Sequence, residues 1–163
     1  MLTNTHLRQL YDEHQPSLLS FAIYLVGSRE DAMEIVNDVY VSLWQNRHTY
    51  NEIRSIKSYL FSAVKNRSIN QIKKKKIEVT HLWPNNEESS FRADAAVDEK
   101  DHKVALENLM DQLPPKCRQI FVMSRIDELS YAEIAELLDL SIKTVENQMG
   151  KALKIFRKKM GIT

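Results

Sequence analysis

The chain has 163 residues and a formal net charge of +1, with 43% hydrophobic and 28% charged residues. This composition is typical of a folded, soluble protein, and no apolar run approaches the roughly 18 residues of a membrane span. Three glycines and 4 prolines favour helices with few tight turns, and Cys117, the single cysteine, excludes an internal disulfide. Residues 1–9 are polar and lack a signal-peptide pattern, so we expect a cytoplasmic protein.

The small net charge conceals a strong segregation of charge along the chain. Residues 1–52 carry 3 basic and 7 acidic side chains, whereas residues 53–77 carry 8 basic and no acidic ones. Residues 78–114 carry 3 basic and 9 acidic side chains, and residues 115–163 carry 9 basic and 6 acidic ones. Because binding to a polyanion depends on a local basic surface, the two basic segments are candidates for nucleic-acid contact.

Apolar residues at helical spacing predict one or two amphipathic helices over residues 7–26. Pro16 is expected only in a first turn or at a break, because proline disrupts the hydrogen bonds of a helix interior. Gly27 ends the pattern, and Ser28 with Asp31 resembles the capping box that begins another helix. The expected buried residues of this second helix are Ala32, Ile35, Val36, Val39, Tyr40 and Leu43.

A basic helix is predicted after a loop. Residues 46–55 have no periodicity and are interpreted as that loop, with Tyr50 near its middle. The helical pattern resumes at Ile56, and residues 73–76 are four consecutive lysines. These lysines cannot all face one groove, and the alternative for them is a solvated helix end. Residues 78–102 are acidic with sparse apolar content, and we interpret them as a flexible linker between two domains.

A second group of helices is predicted over residues 103–163. A short helix containing Val104, Leu106, Leu109 and Met110 is expected to end before Pro114. Pro115 suits the first turn of the helix that follows. The expected apolar positions of that helix are Ile120, Phe121, Met123 and Ile126.

Residues 130–153 have the layout of a helix-turn-helix. Ser130 and Glu133 match a capping box at the start of a short first helix. Ala135 supplies the small residue that is needed where the second helix crosses the first, and Leu140 supplies an apolar plug for the turn. The motif therefore predicts a second helix that packs on one side and is free on the other.

This second helix is predicted from Ile142 to about Lys159, with Gly161 as its stop. Its expected buried stripe comprises Ile142, Val145, Met149, Ala152 or Leu153, Phe156 and Met160. The opposite face carries Lys143, Thr144, Asn147, Gln148 and Lys151. Amides can bond adenine, lysine can reach guanine, and threonine can touch a base or a phosphate, as major-groove recognition requires. Glu146 either accepts from a cytosine amino group or points away from the phosphates.

The alternative for this segment is an ordinary amphipathic surface helix whose basic end is favoured by the helix dipole. The short capped helix, the three-residue turn and the small residue at the crossing together favour the DNA-binding motif. Beyond the polar face, further cations extend toward the DNA backbone: Lys154, Arg157, Lys158 and Lys159.

With both halves considered, the chain resembles the extracytoplasmic-function sigma factors of bacterial RNA polymerase. Residues 18–21, 27–32 and 38–44 look like the family's core-binding helices, and residues 58–67 with 69–70 are similar to its promoter-melting helix. Residues 113–115, 131–135 and 143–147 look like the region that binds the −35 element. Glu146, Asn147 and Gln148 stand where the family often has arginines, which resembles the form common among Bacteroidetes members.

The resemblance implies an all-α fold of two small helical domains. Residues 1–77 would form the region 2 bundle, residues 78–102 the linker and residues 103–163 the region 4 helix-turn-helix. The implied function is transcription initiation: binding of core RNA polymerase at its beta-prime clamp and beta flap, recognition of −35 and −10 promoter elements, and promoter melting. An anti-sigma factor, which is membrane-anchored for many members, is an implied partner.

The resemblance also implies roles for individual residues. Asn37, Asp38 and Trp44 fall where the family contacts the polymerase clamp, although Trp44 could equally belong to the domain core. Tyr50 and Asn66 fall where the family captures a base flipped from the −10 non-template strand. An aromatic or amide side chain can stack on or bond an unpaired base. The alternative for Tyr50 is a loop aromatic that closes the domain core.

The remaining implied site residues contact DNA. On the −10 side, the adjoining backbone would be held by Lys65, Arg67, Asn70 and Lys73. On the −35 side, recognition would involve Lys143, Thr144, Glu146, Asn147, Gln148 and Lys151.

Two other classes of function fit the sequence less well. A stand-alone transcriptional regulator would need a dimerisation or receiver domain, which the N-terminal half does not resemble. An enzyme is disfavoured because the histidines at positions 6, 14, 48, 81 and 102 have no metal-ligand spacing and no phosphate-binding glycine loop is present. Cys117 fits a small core residue better than a nucleophile. We therefore expect no catalytic residue, metal or cofactor.

Overall fold

The computed structural model describes residues 1–79 and 107–161. The chain divides into two compact units, Met1–Arg92 and Ala93–Thr163. The described ranges contain helices and turns and no strand, which confirms the expected all-α class with two helical domains. The predicted linker lies outside the described residues, except that residues 78–79 continue the last helix of the N-terminal unit.

In its described residues, the N-terminal unit is a bundle of three helices, α1 (Asn4–Val26), α2 (Arg29–Gln45) and α3 (Ile56–Val79), each packed on the other two. The segment that was expected to be a loop contains a short 3-10 helix, η1 (Arg47–Glu52). In the core, the ring centroids of Phe21 and Phe61 lie 5.4 Å apart. The six residues that α2 was expected to bury are all buried, which confirms its predicted inner face.

Pro16 lies inside α1, and the expectation of a helix start or a break at this position was wrong. Pro16 and Asp12, whose carbonyl loses its helical partner, are both exposed, so water can hydrate that carbonyl. A proline inside a helix costs about 3 kcal/mol. The apolar face of α1, which buries Leu18 and Phe21, packs on α2 and α3 and offsets this cost.

The turn between α1 and α2 follows the sequence prediction. Gly27 has φ 78°, and its N–H donates to the carbonyl of Ile23 at 2.8 Å, which ends α1. Ser28 Oγ then accepts from the N–H of Asp31 at 3.3 Å and caps α2. The Asp31 carboxylate also pairs with Lys75 near the end of α3.

The C-terminal unit contains helical residues 107–111 followed by α4 (Pro115–Arg125), α5 (Tyr131–Leu138) and α6 (Ile142–Lys159). Pro115 occupies the first turn of α4, as predicted. α6 packs on both α4 and α5. The buried residues of this core are Met110, Leu113, Cys117, Ile120, Met123, Leu129, Ile134, Ala135, Leu137, Val145, Met149 and Ala152. Val104 and Leu106 lie outside the described residues.

Two serine caps define the helix-turn-helix. Ser130 Oγ accepts from the N–H of Glu133 at 3.1 Å, and Ser141 Oγ accepts from the N–H of Thr144 at 3.1 Å. Between them, Asp139 adopts the left-handed conformation with φ 55° and ends α5. These local hydrogen bonds set the length of the turn and hence the direction in which α6 leaves it.

Two residues of the expected buried stripe are exposed, Ile142 (48%) and Met160 (56%), and Ile126, an expected apolar position of α4, is 54% exposed. Ile126 and Met160 follow the last residues of α4 and α6, and Ile142 is the first residue of α6. At 1.5 Å per residue, α4 and α5 are about 16 Å and 12 Å long, whereas α6 is about 27 Å long, so its terminal residues extend past both neighbours. The apolar pattern in the sequence therefore extends past the part of each helix that packs against another helix.

Candidate nucleic-acid interface

One side of α6 is exposed and the other is buried in the domain. Its buried side is formed by Val145, Met149 and Ala152. At about 100° per residue, the opposite side carries five side chains, which are all exposed. We call these residues the basic stripe of α6: Lys143, Asn147, Lys151, Lys154 and Lys158.

The structure separates the other predicted −35 residues from this stripe. Thr144 and Gln148 are half-buried on one flank of α6, and Glu146 is exposed on the other flank. The Thr144 hydroxyl lies 2.8 Å from Ser141 Oγ, so it takes part in the helix cap. Of the six residues predicted to read the −35 element, Lys143, Asn147 and Lys151 therefore share one exposed face, and three lie beside it.

α3 presents a second exposed polar strip. Asn66, Asn70 and Lys73 are exposed and follow one another at steps of four and three residues. They lie opposite the buried side chains of the same helix, which are Leu60, Phe61, Val64 and Ser68. We call these three residues the polar strip of α3.

Lys65 and Arg67 do not share the polar strip of α3. Each lies about 100° around the helix from Asn66, in opposite directions, and Lys65 is half-buried. The lysines at positions 73–76 are all exposed, and Lys75 pairs with Asp31 of α2. The structure therefore distributes the basic residues of α3 around the helix, as the solvated-end alternative expected.

Tyr50 lies on η1 and is half-buried, so it is neither enclosed in the core nor fully free. Its hydroxyl lies 3.4 Å from His6 Nε2, and the two rings meet edge to face with centroids 5.2 Å apart. Sequence reasoning gave His6 no role. No local pattern could have indicated this contact, because 44 positions of sequence separate the two residues.

α2, the helix that precedes η1, has an exposed face. Asn37, Asp38 and Val41 are exposed on it, and Val41 is 54% exposed. Trp44 is half-buried, and the Arg47 guanidinium lies 4.7 Å from the centroid of its ring. Trp44 thus belongs neither wholly to the core nor wholly to the surface.

Comparison with known proteins identifies the family. Residues 10–77 match Sigma-70 region 2, and residues 103–155 match Sigma-70, region 4. The chain is 26% identical to the ECF RNA polymerase sigma factor SigW of Bacillus subtilis, over 93% of this chain and 87% of that protein. The chain belongs to the extracytoplasmic-function sigma factors. These proteins are the sigma factors that take part in transcription initiation by RNA polymerase.

One further relative and one solved structure are similar to the chain. The sigma factor is 27% identical to the Ferric citrate uptake sigma factor FecI of Escherichia coli, over 94% of this chain and 91% of that protein. Its fold is similar to RpoE of Bartonella quintana, solved in complex with the anti-sigma factor NepR. That likeness has a TM-score of 0.61 at 20% identity and covers 95% of this chain and 96% of the other. The Bacteroidetes-like character stays a prediction.

The single cysteine of the sigma factor lies in the apolar core of the C-terminal unit. Cys117 is fully buried, and its thiol donates to the Gln148 carbonyl at 3.3 Å across the contact of α4 with α6. Burial raises the pKa of the Cys117 thiol, against an opposing effect of Lys151. The thiol therefore stays protonated, and it joins α6 to α4 close to the basic stripe.

Among the described residues, no three or more His, Cys, Asp or Glu side chains are grouped so that they could hold a metal ion. Within residues 1–79 and 107–161, no helix combines the length and the apolar character that crossing a bilayer requires.

Proposed function

We propose that this sigma factor binds core RNA polymerase in the cytoplasm, recognises −35 and −10 promoter elements and promotes promoter melting. The observation that carries the proposal is the basic stripe of α6, which is exposed directly opposite the side that packs in the domain. An α-helix fits the major groove, and a helix-turn-helix places its second helix there.

The −35 element would be read by the basic stripe of α6. Asn147 lies between Lys143 and Lys151 on this face, and its amide can bond adenine bidentately. Lys154 and Lys158 continue the stripe toward the end of the helix, where they would contact phosphates. Thr144, Gln148 and Glu146 would contact DNA only from the edges of the groove.

The −10 element would be bound by the polar strip of α3 together with Tyr50. The strip offers two amides and one cation, and all three lie in the acid-free segment 53–77. Asn66 would bond an unpaired base and Tyr50 would stack on one, while Asn70 and Lys73 hold the adjoining backbone. Lys65 and Arg67, on either side of the strip, would contact flanking phosphates.

Core polymerase would bind the exposed face of α2, where Asn37 and Asp38 surround the exposed Val41. Interfaces commonly have an apolar centre with a polar rim, and this face would supply Val41 to the centre and the two polar side chains to the rim. Trp44 would contribute the part of its ring that Arg47 leaves accessible. Within the polymerase, we assign this contact to the beta-prime clamp and a second contact, by the C-terminal unit, to the beta flap.

An anti-sigma factor is proposed as a further partner. RpoE of Bartonella quintana, which shares the fold, was solved with such a protein bound. We also propose that the chain is not an enzyme, because its relatives are named as sigma factors and the thiol of Cys117, its single cysteine, is buried.

In vitro transcription from a random promoter library with core RNA polymerase tests the proposal. We expect transcripts only when the chain is added, and the selected promoters should share two separated elements. The double variant Lys143→Ala/Asn147→Ala should lose selection at the upstream element and keep binding to core polymerase. A chain that binds duplex promoter tightly without polymerase, and does not bind core polymerase in a pull-down, would instead be a stand-alone regulator.

A further inference from the structure

The first residues of the chain are attached to η1, the segment that carries Tyr50. Leu2 is fully buried, with 0% of its surface exposed, and its N–H donates to the Arg47 carbonyl at 3.3 Å. Four residues later, His6 contacts Tyr50 through its ring and through Nε2. The two contacts join the beginning of the chain to the start and to the middle of η1.

His6 is itself held in place. Thr3 caps α1, because its hydroxyl oxygen accepts from the N–H of His6 at 3.2 Å. His6 is half-buried in the first turn of α1, and that helix packs on α2 and α3. The imidazole is thus mounted on a rigid helix, whereas Tyr50 lies on a short 3-10 turn that buries none of its own residues.

The other side of η1 is also held. Arg47 Nη1 donates to the Trp44 carbonyl at 3.1 Å, and its guanidinium covers the Trp44 ring. The segment that carries Tyr50 is therefore attached to the end of α2 by Arg47, to the residue Leu2 just before α1 by a backbone hydrogen bond, and to α1 itself by the side chain of His6. A side chain that must receive a flipped base works best when its supporting contacts restrict its motion before the base arrives.

We propose that His6 is a positioning residue for Tyr50 and thereby a determinant of which base is accepted at the −10 element. The inference rests on the proposed function of Tyr50 in base capture. His6 Nε2 lies 3.4 Å from the Tyr50 hydroxyl, and the two rings meet edge to face, so His6 restricts the orientation of the Tyr50 ring. Tyr50 is half-buried, and its exposed part would stack on a base. Leu2 supports the same segment from its backbone.

A double-mutant cycle on His6→Phe and Tyr50→Phe tests this inference with the full chain bound to core polymerase. His6→Phe keeps an aromatic ring but removes the nitrogen, and Tyr50→Phe removes the hydroxyl that faces it. We measure open-complex formation and base preference on −10 variants of a promoter selected from the library. His14→Phe, at another half-buried histidine of α1, is the matched control.

We expect His6→Phe to lower open-complex formation about three- to tenfold, the effect of losing one hydrogen bond, and to weaken the preference at one −10 position. Binding to core polymerase should not change, and His6→Gln should recover part of the loss because its amide can bond the hydroxyl. In the Tyr50→Phe background, His6→Phe should have no further effect. His14→Phe should leave base preference unchanged.

The outcomes separate this inference from the proposed function on which it rests. If Tyr50→Ala changes base preference and His6→Phe does not, Tyr50 captures the base and the positioning role of His6 is refuted. Equal losses from His6→Phe in both backgrounds would also refute it, because His6 would then act only through general stability. If Tyr50→Ala leaves base preference unchanged, base capture by Tyr50 itself is wrong.

Discussion

Replacement of Asn147 by alanine is the most direct test of how α6 reads DNA. Asn147 is exposed and lies opposite the buried side of the helix, so its side chain contributes nothing to the packing of the domain. Alanine also has a higher helix propensity than asparagine, by up to about 0.7 kcal/mol. The variant should therefore fold at least as stably as the original chain, and a change in promoter preference can be assigned to DNA contact.

The expected size of that change follows from the amide contact. A bidentate amide–adenine pair discriminates against a wrong base by about 1–3 kcal/mol. Because each 1.4 kcal/mol is a factor of ten, Asn147→Ala should reduce the preference at one −35 position by about 5- to 150-fold. Gln148 carries the same amide but is half-buried on the flank of α6, so Gln148→Ala should have the smaller effect.

The assay is selection of −35 variants by the polymerase complex, followed by sequencing of bound and unbound DNA. Asn108→Ala provides the control, because Asn108 is an exposed asparagine of the same unit outside α6. Its preference profile should match that of the unmodified chain. A larger effect of Gln148→Ala than of Asn147→Ala would refute the orientation that we assign to α6 in the groove.

Four other outcomes are expected. Lys154→Ala should weaken binding to all promoters alike and reduce the slope of log affinity against log salt by about 0.9, whereas a base-specific effect would contradict a phosphate contact. Asn66→Ala should impair open-complex formation, measured by permanganate reactivity, more than initial binding, and equal losses would count against base capture. Ser68 Oγ is buried with no hydrogen-bond partner among the described residues, so Ser68→Ala should raise the free energy of unfolding by up to about 1 kcal/mol in urea, and a clear loss would reveal a partner. Burial first, and charged neighbours second, raise the pKa of Tyr40 above its ordinary value of 10.0. The folded state therefore keeps this phenol neutral, and stability that is complete below pH 10.0 should fall at higher pH, less steeply in Tyr40→Phe.

Local sequence was sufficient wherever a structural feature depends on a few neighbouring residues. Gly27, Ser28, Pro115 and Ser130 mark helix ends that the structure places where they were predicted. Each acts through its own backbone conformation or through a hydrogen bond to a residue three or four positions away. The same holds for the inner face of α2, since helical periodicity alone determines which side chains share a side.

The helix-turn-helix could be predicted as a motif, but the sequence did not show which of its polar residues share a face. Five residues from Lys143 to Lys151 were placed together, although they extend too far around a helix to enter one groove equally. Their separation became clear once Val145, Met149 and Ala152 defined the buried side and Ser141 engaged the hydroxyl of Thr144. The exposure of a polar residue depends on what its helix packs against.

The sequence by itself determined the helical class, the two-domain order, most helix ends and the family. Only the tertiary structure decided that Pro16 lies inside a continuous helix, that Ile142 and Met160 are exposed, and that His6 contacts Tyr50. The physical reason is distance along the chain. Caps and periodicity arise within one or two turns, whereas burial and the contact between α1 and η1 depend on residues that only the complete fold brings together.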